Sequence, residues 1–222
     1  MDKFKVAEIF ESINGEGMKA GELSVFVRLA GCNLSCSYCD TSWANKADIP
    51  CTLMTADEIY DRVKETGIKN VTLTGGEPLL NNNVRSLLEV FAKDKDIDVE
   101  IETNGSIDLT AFAGIVKRPS FTMDYKLAGS GMQEHMKTSN FSVLNENDTV
   151  KFVVSGEDDL ERALEIIRQF NLDSKCNVLL SPVFGKIDPK DIVEFMKKKV
   201  MNNVRMQLQL HKIIWDPDKR GV

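Results

Sequence analysis

The chain has 222 residues, 42% hydrophobic and 28% charged, which suits one ordinary α/β domain with a sizeable core and excludes a disordered chain. Its 28 Lys and Arg against 34 Asp and Glu leave a formal charge of −6, so a nucleic-acid partner is not expected. No apolar run approaches the ~18 residues of a membrane span. The opening M-D-K-F-K-V-A-E-I-F alternates charged and apolar residues and reads as a strand rather than a signal peptide. The expected location is therefore a reducing cytoplasm, where stable disulfides are rare.

After that strand, residues 24–30 (S-V-F-V-R-L-A) form an apolar, β-branched run leading into Gly31 and a loop, G-C-N-L-S-C-S-Y-C-D-T. Thr55 followed by Glu58 makes a capping box that opens a helix running to about Thr66, with Gly67 as its stop. Residues 70–74 read as a strand ending at Gly75-Gly76, and Val84, Leu87, Leu88 and Phe91 mark one face of a helix. Further strands are expected at 98–103, 120–126, 149–154, 177–181 and 204–210. Helices are expected around Leu160–Ile167 and Ile192–Val200, the K-K-K at 197–199 being a solvated face.

The connections 106–119 and 127–148 carry only weak helical periodicity. Alternating strands and helices with two thin crossovers predict a single α/β domain over residues 1–222, an incomplete (β/α) barrel of mostly parallel strands. In such folds ligands sit where loops leave the carboxyl ends of strands. Three unusual segments fall at those ends: the cysteine loop, T-G-G-E-P (74–78) and E-T-N-G (102–105).

Cys32, Cys36 and Cys39 can form a disulfide hub, most of a zinc site, or an iron–sulfur ligand set with one ligand short. Compartment and the odd total of five cysteines count against disulfides. A structural zinc ion wants four ligands, and Cys51, Cys176, His135 and His211 all lie outside knuckle spacing. A four-iron cluster held by three thiolates keeps one iron open for a small molecule.

The C-x3-C-x2-C of Cys32, Cys36 and Cys39, with Tyr38 before the last cysteine and G-G-E-P at 75–78, resembles the radical S-adenosylmethionine enzymes. That resemblance implies a 4Fe-4S cluster whose open iron takes the methionine moiety of S-adenosylmethionine. It places Gly76, Glu77, Glu102, Asn104, Asp124, Tyr125, Lys126, Ser181, Pro182, Val183 and Phe184 toward that cofactor.

The runs E-I-F-E-S-I-N-G-E-G (8–17) and F-V-R-L-A-G-C-N-L-S-C-S-Y-C-D-T, with L-Q-L-H-K at 208–212, resemble more narrowly the 7-carboxy-7-deazaguanine synthase family. The narrower resemblance implies a carbon–nitrogen lyase of queuosine biosynthesis that turns 6-carboxy-5,6,7,8-tetrahydropterin into 7-carboxy-7-deazaguanine and ammonia. It implies magnesium on Thr41, and pterin contacts from Ile13, Asn14, Gly15, Glu16, Arg28, Thr74 and His211. It also implies an external one-electron reductant of flavodoxin or ferredoxin type and a homodimer. No acid–base residue is singled out. Two other readings compete: a glycyl-radical enzyme activase, which shares the cysteine spacing, and a zinc-binding structural module.

Overall fold

The computed structural model describes residues 3–46 and 48–222, so Met1 and Asp2 of the expected first strand lie outside the described residues. The strands are β1 (Phe4–Ile13), β2 (Leu23–Leu29), β3 (Thr52–Met54), β4 (Asn70–Gly75), β5 (Asp98–Thr103), β6 (Ser120–Tyr125), β7 (Thr149–Val154), β8 (Asn177–Pro182) and β9 (Val204–Met206). The helices are α1 (Ala56–Lys64), α2 (Val84–Ala92), α3 (Thr110–Ala113), α4 (Glu157–Phe170), α5 (Pro189–Lys199) and α6 (His211–Ile214).

All nine strands share one open sheet in the order β3-β1-β2-β4-β5-β6-β7-β8-β9. The hairpin β1–β2 and the pair β1–β3 are antiparallel, and every pairing from β2 through β9 is parallel. This is the incomplete, mostly parallel barrel that the alternation of elements predicts. Among the described residues, no helix is long and apolar enough to cross a membrane.

Local chemistry accounts for the elements. Thr55 N–H donates to Glu58 Oε2 at 2.7 Å and Glu58 N–H to Thr55 Oγ1 at 3.2 Å, the reciprocal capping box that starts α1. Val84, Leu87, Leu88 and Phe91 bury one face of α2, and Leu160, Ala163, Leu164 and Ile167 do the same on α4. The two thin crossovers hold little regular helix: α3 spans four residues, and 128–142 makes only short 3-10 turns.

The parallel strands are two-faced, because side chains alternate across a strand. Leu73, Ile101, Phe121, Met123, Val150, Phe152, Val178 and Leu180 join the hydrophobic core. The other face is polar and in register from strand to strand: Arg28 beside Thr74, Glu102 beside Thr122, Asp124 beside Lys151.

One expected strand is shorter in the structure. The 204–210 run is extended in the ladder only over Val204–Met206. Gln207 leaves it to brace the loop after β1, accepting from Gly17 N–H at 2.8 Å and donating to Gly17 O at 2.9 Å. Leu210 N–H then donates to Gly15 O at 3.0 Å, and α6 begins at His211. Strand β3 carried no signal of its own; its three residues exist by pairing with Phe4–Val6.

Candidate functional site: a polar cavity at the strand ends

A cavity of about 630 Å³ opens at the carboxyl ends of the parallel strands. Cys32, Cys36, Cys39, Thr41, Gly76, Glu102 and Asn104 all line it. Ile13, Gly15, Glu16, Arg28, Thr74, Asp124, Lys126, Val183, Phe184 and His211 complete the predicted residues on its wall. The three strand-end segments thus converge on one space, together with the loop after β1 and the C-terminal residues.

Hydrogen bonds between loops set the cysteine side of the cavity. Gly76 N–H donates to Leu29 O at 3.2 Å and Glu77 N–H to Gly31 O at 2.9 Å, so the glycine turn after β4 is tied to the base of the cysteine loop. A Cβ on Gly75, whose φ is +153°, would lie 2.1 Å from Leu29 O, and one on Gly76 would lie 2.3 Å from Gly31 O. Only glycine permits that approach. The far side of the loop is fixed by Ser37, which donates through N–H to Ser130 O at 3.0 Å and through Oγ to Gly129 O at 2.8 Å. Gly129 N–H in turn donates to the buried carboxylate of Asp159 at 3.1 Å.

The donor set fits an iron–sulfur cluster and S-adenosylmethionine. Cys32 Sγ accepts from Leu34 N–H at 3.4 Å and from Asn104 Nδ2 at 3.6 Å, and Cys39 Sγ lies 3.7 Å from Thr41 Oγ1. Such N–H donors stabilise thiolate ligands. Burial pushes the Cys32 and Cys36 thiols above their ordinary pKa, opposed only in part by the bonds from Leu34 and Asn104 at Cys32 and by the charge of Lys126 at Cys36. Among the described residues no three His, Cys, Asp or Glu side chains converge as a single metal ion would require. Asn45 Oδ1 and Asp124 Oδ1 are buried acceptors without a partner among those residues, and both side chains line the cavity, where a ligand's donors would meet them. For magnesium the chain offers the Thr41 hydroxyl, while Asp40 is engaged by Lys212 at 3.1 Å. The remaining oxygen ligands would have to come from substrate and water.

The opposite wall is a charged network. The Glu16 side chain is 8% exposed, and its carboxylate accepts from Lys151 Nζ at 3.0 Å, Gln209 Nε2 at 3.1 Å and Ser181 Oγ at 3.1 Å. Burial would raise its pKa, but the Lys151 charge and the bonds from Gln209 and Lys151 outweigh that and hold it below the ordinary value. Lys151 also lies 3.8 Å from Asp124 Oδ2, which Lys126 Nζ holds at 2.7 Å. Arg28 Nε pairs with Glu8 at 2.7 Å, and Thr74 Oγ1 donates to Glu102 at 2.8 Å. His211 sits against the loop after β1: a Cβ on Gly15 would fall 2.2 Å from His211 Nδ1. Burial lowers the His211 pKa, favouring the neutral ring.

Five predicted residues stay off the cavity wall, each for a visible reason. Glu77 turns inward and accepts from Asn104 N–H at 2.6 Å, Leu79 N–H at 3.0 Å and Thr103 Oγ1 at 3.0 Å. Tyr125 has the opposite strand parity to Asp124 and packs at 5.7 Å from the Phe141 ring and 5.5 Å from Phe152. Asn14 commits N–H and O to Glu22 and Gly21, both at 2.8 Å, and its side chain accepts from Thr72 at 2.7 Å. Ser181 lies under Glu16, and Pro182 is buried in the ladder beside Val154.

Sequence reading passed over Lys151 and Trp43 and met Asp40, Gln209 and Lys212 only as members of quoted motifs; all five lie on the cavity wall. A lysine in the middle of the run T-V-K-F-V-V, buried on β7 along its whole length, was the one available signal. Residues 217–222 also line the cavity, with the Arg220 guanidinium 4.4 Å over the Trp43 ring.

An open, mostly parallel barrel with three cysteines beside a glycine turn on one cavity is the arrangement of a radical S-adenosylmethionine protein, and the Radical SAM superfamily model matches residues 26–198. The "7-carboxy-7-deazaguanine synthase" of Clostridium acetobutylicum is 58% identical over 219 residues, covering 99% of both chains. That of Chlorobaculum tepidum is 41% identical over 220 residues, covering 98% of this chain and 96% of the relative. The chain belongs to the 7-carboxy-7-deazaguanine synthase family within that superfamily. In fold it is similar to the crystal structure of QueE from Escherichia coli, with a TM-score of 0.70 at 20% identity over 93% of this chain and 94% of that one.

Proposed function

We propose that the chain converts 6-carboxy-5,6,7,8-tetrahydropterin into 7-carboxy-7-deazaguanine with loss of ammonia. The observation that carries this reading is the full-length 58% identity to a relative of that name, joined to a cavity that brings the cysteine loop and the E-G loop together. Neither a glycyl-radical activase nor a zinc module is the name these relatives carry.

Cys32, Cys36 and Cys39 would hold the cluster, the Gly75-Gly76 turn would take S-adenosylmethionine through its backbone, and Thr41 would offer its hydroxyl to magnesium. When bound, the cluster and S-adenosylmethionine supply a hydrogen-abstracting carbon radical, and magnesium supplies Lewis acidity at the substrate carboxylate.

The chain's own work is positioning. Asn104 and Gly76 shape the cofactor side, and Glu102, held by Thr74, stands between the two sides. Glu16 offers a charged acceptor to the amino-pyrimidinone edge of the pterin, and Arg28 has a planar cation suited to a carboxylate. The neutral His211 ring covers the loop after β1, and the C-terminal residues narrow the mouth and exclude water from the reacting atoms. An external one-electron donor of flavodoxin or ferredoxin type and a homodimer complete the proposal.

The test is anaerobic reconstitution with iron and sulfide, followed by incubation with S-adenosylmethionine, dithionite, magnesium and the pterin. Mass spectrometry should show the deazapurine, and Cys36→Ala should abolish it whereas Cys51→Ala should not. Cleavage of S-adenosylmethionine without any deazapurine would retain the superfamily and reject this substrate.

A further inference from the structure

Lys151 is the least expected residue on the cavity wall. It sits in the middle of β7, where every position is buried and its neighbours are Val150 and Phe152. A lysine in such a strand costs desolvation that its partners must offset. Those partners come from different elements: Glu16 from the loop after β1 at 3.0 Å and Asp124 from β6 at 3.8 Å. Two neutral donors complete the cage around Glu16, Gln209 from the segment after β9 and Ser181 from β8, each at 3.1 Å. Lys151 is thus the one full positive charge bonded to Glu16 among the described residues.

We propose that Lys151 is a positioning residue that holds the Glu16 carboxylate on the cavity wall as the acceptor for an N–H donor of the substrate's 2-amino-4-oxopyrimidine edge. The proposal rests on the function given above. Lys151 and Gln209 both donate to Oε2 and Ser181 donates to Oε1, so three of the roughly four acceptor positions are taken and Oε1 keeps one for a ligand. The same cation lies 3.8 Å from Asp124 Oδ2, which Lys126 bonds at 2.7 Å, and Asp124 Oδ1 has no partner among the described residues. One lysine on β7 is therefore shared by two acid side chains of the cavity wall.

The other charges facing Glu16 make the role specific. Asp124 on β6 opposes its ionisation, and Glu102 on β5 bears on both Lys151 and His211. Without Lys151, burial and the neighbouring carboxylates would work in one direction, toward a protonated Glu16. A protonated carboxyl has lost one acceptor and presents a donor to the ring's donors. The loss should therefore be recovered as the pH rises.

The experiment compares wild type, Lys151→Met and Lys151→Arg as reconstituted holoenzymes between pH 6.5 and 8.5. It measures KM and kcat for the carboxytetrahydropterin and the calorimetric Kd of 7-carboxy-7-deazaguanine, which carries the same edge. For Lys151→Met we expect KM and Kd about 10- to 30-fold above wild type at pH 6.5, equivalent to about 1.4–2 kcal/mol. The ratio to wild type should shrink toward pH 8.5, kcat should change much less, and Lys151→Arg should restore most of the affinity. KM and Kd do not depend on the folded fraction, so a lower yield of holoenzyme leaves the result readable, and Lys151→Gln repeats it with a smaller change in polarity.

Ratios near one, or ratios independent of pH, overturn the proposal. A wild type that binds the deazaguanine and does not convert the pterin rejects the function, and the Lys151→Met to wild-type Kd ratio then decides the role of Lys151. A converting wild type with unchanged Lys151→Met constants rejects only the role of Lys151.

Discussion

Glu77 turns its carboxylate away from the cavity and accepts the backbone N–H of Asn104 at 2.6 Å, fastening the turn after β4 to the turn after β5. Two of the three segments that build the cofactor side of the site are thereby one rigid unit, with Leu79 N–H and Thr103 Oγ1 as further donors to the same group. Removing it should damage stability and cofactor binding together. Glu77→Ala leaves three buried donors without an acceptor, and we expect a loss of about 3 kcal/mol in denaturant unfolding. The affinity for S-adenosylmethionine, followed through the perturbation of the cluster's electron paramagnetic resonance signal, should fall in the same variant.

Gly15 and His211 are linked by space rather than by a bond. Gly15→Ala places a methyl 2.2 Å from His211 Nδ1, so the ring must leave its place on the cavity wall. We expect the KM for the pterin to rise about 10-fold, a loss of about 1.4 kcal/mol. Gly114→Ala, where a Cβ meets nothing within 4 Å, is the control and should leave KM unchanged.

Glu100 lies deeper than the cavity, buried on β5 and hydrogen-bonded to Thr122, with Oε2 unpartnered among the described residues. Burial raises its pKa to about 7 from 4.5, against a smaller opposing effect of the Thr122 bond. Between those values the folded state binds a proton that the unfolded chain has released, so stability falls as pH rises from about 4.5 to about 7. The loss attributable to this group is up to about 3 kcal/mol. Glu100→Gln removes that titration. Unfolding free energies for the two proteins should be close at pH 5, and the variant should be the more stable at pH 8. Parallel curves for the two would contradict the prediction.

Arg220 stacks 4.4 Å over Trp43, one of two tryptophans in the chain. Arg220→Ala on a Trp215→Phe background should shift Trp43 emission to the red and raise its acrylamide quenching. Stability should change by less than about 1 kcal/mol, since an exposed cation–π pair contributes no more than that. Unchanged emission and quenching would show that the C-terminal segment does not shield Trp43 in solution.

Parity explains much of what was and was not legible. Asp124-Tyr125-Lys126 is one strand end in the sequence, yet only Asp124 and Lys126 reach the cavity, because alternate side chains of a strand face opposite sides. Tyr125 belongs to the aromatic cluster with Phe141 and Phe152. Asn14, within the E-G motif, is committed to the hairpin by both of its backbone groups. Gln207 looked like the middle of a strand because its neighbours Met206 and Leu208 are apolar, and its amide's match to the backbone of Gly17 could not be seen along the chain.

By itself the sequence determined most of the elements and, through the motifs of a family it resembles, the cofactor class. Periodicity places the faces of α2 and α4, the Thr55–Glu58 box starts α1, and three cysteines at C-x3-C-x2-C with G-G-E-P specify the cofactor class, because each depends on residues close in the chain. Tertiary structure alone decided which polar side chains share the cavity. Lys151 and Glu16 are 135 positions apart, and Gln209 and Glu16 are 193 apart. A buried charge acquires its role from partners that only the folded sheet brings within hydrogen-bonding distance, so no local pattern can announce it.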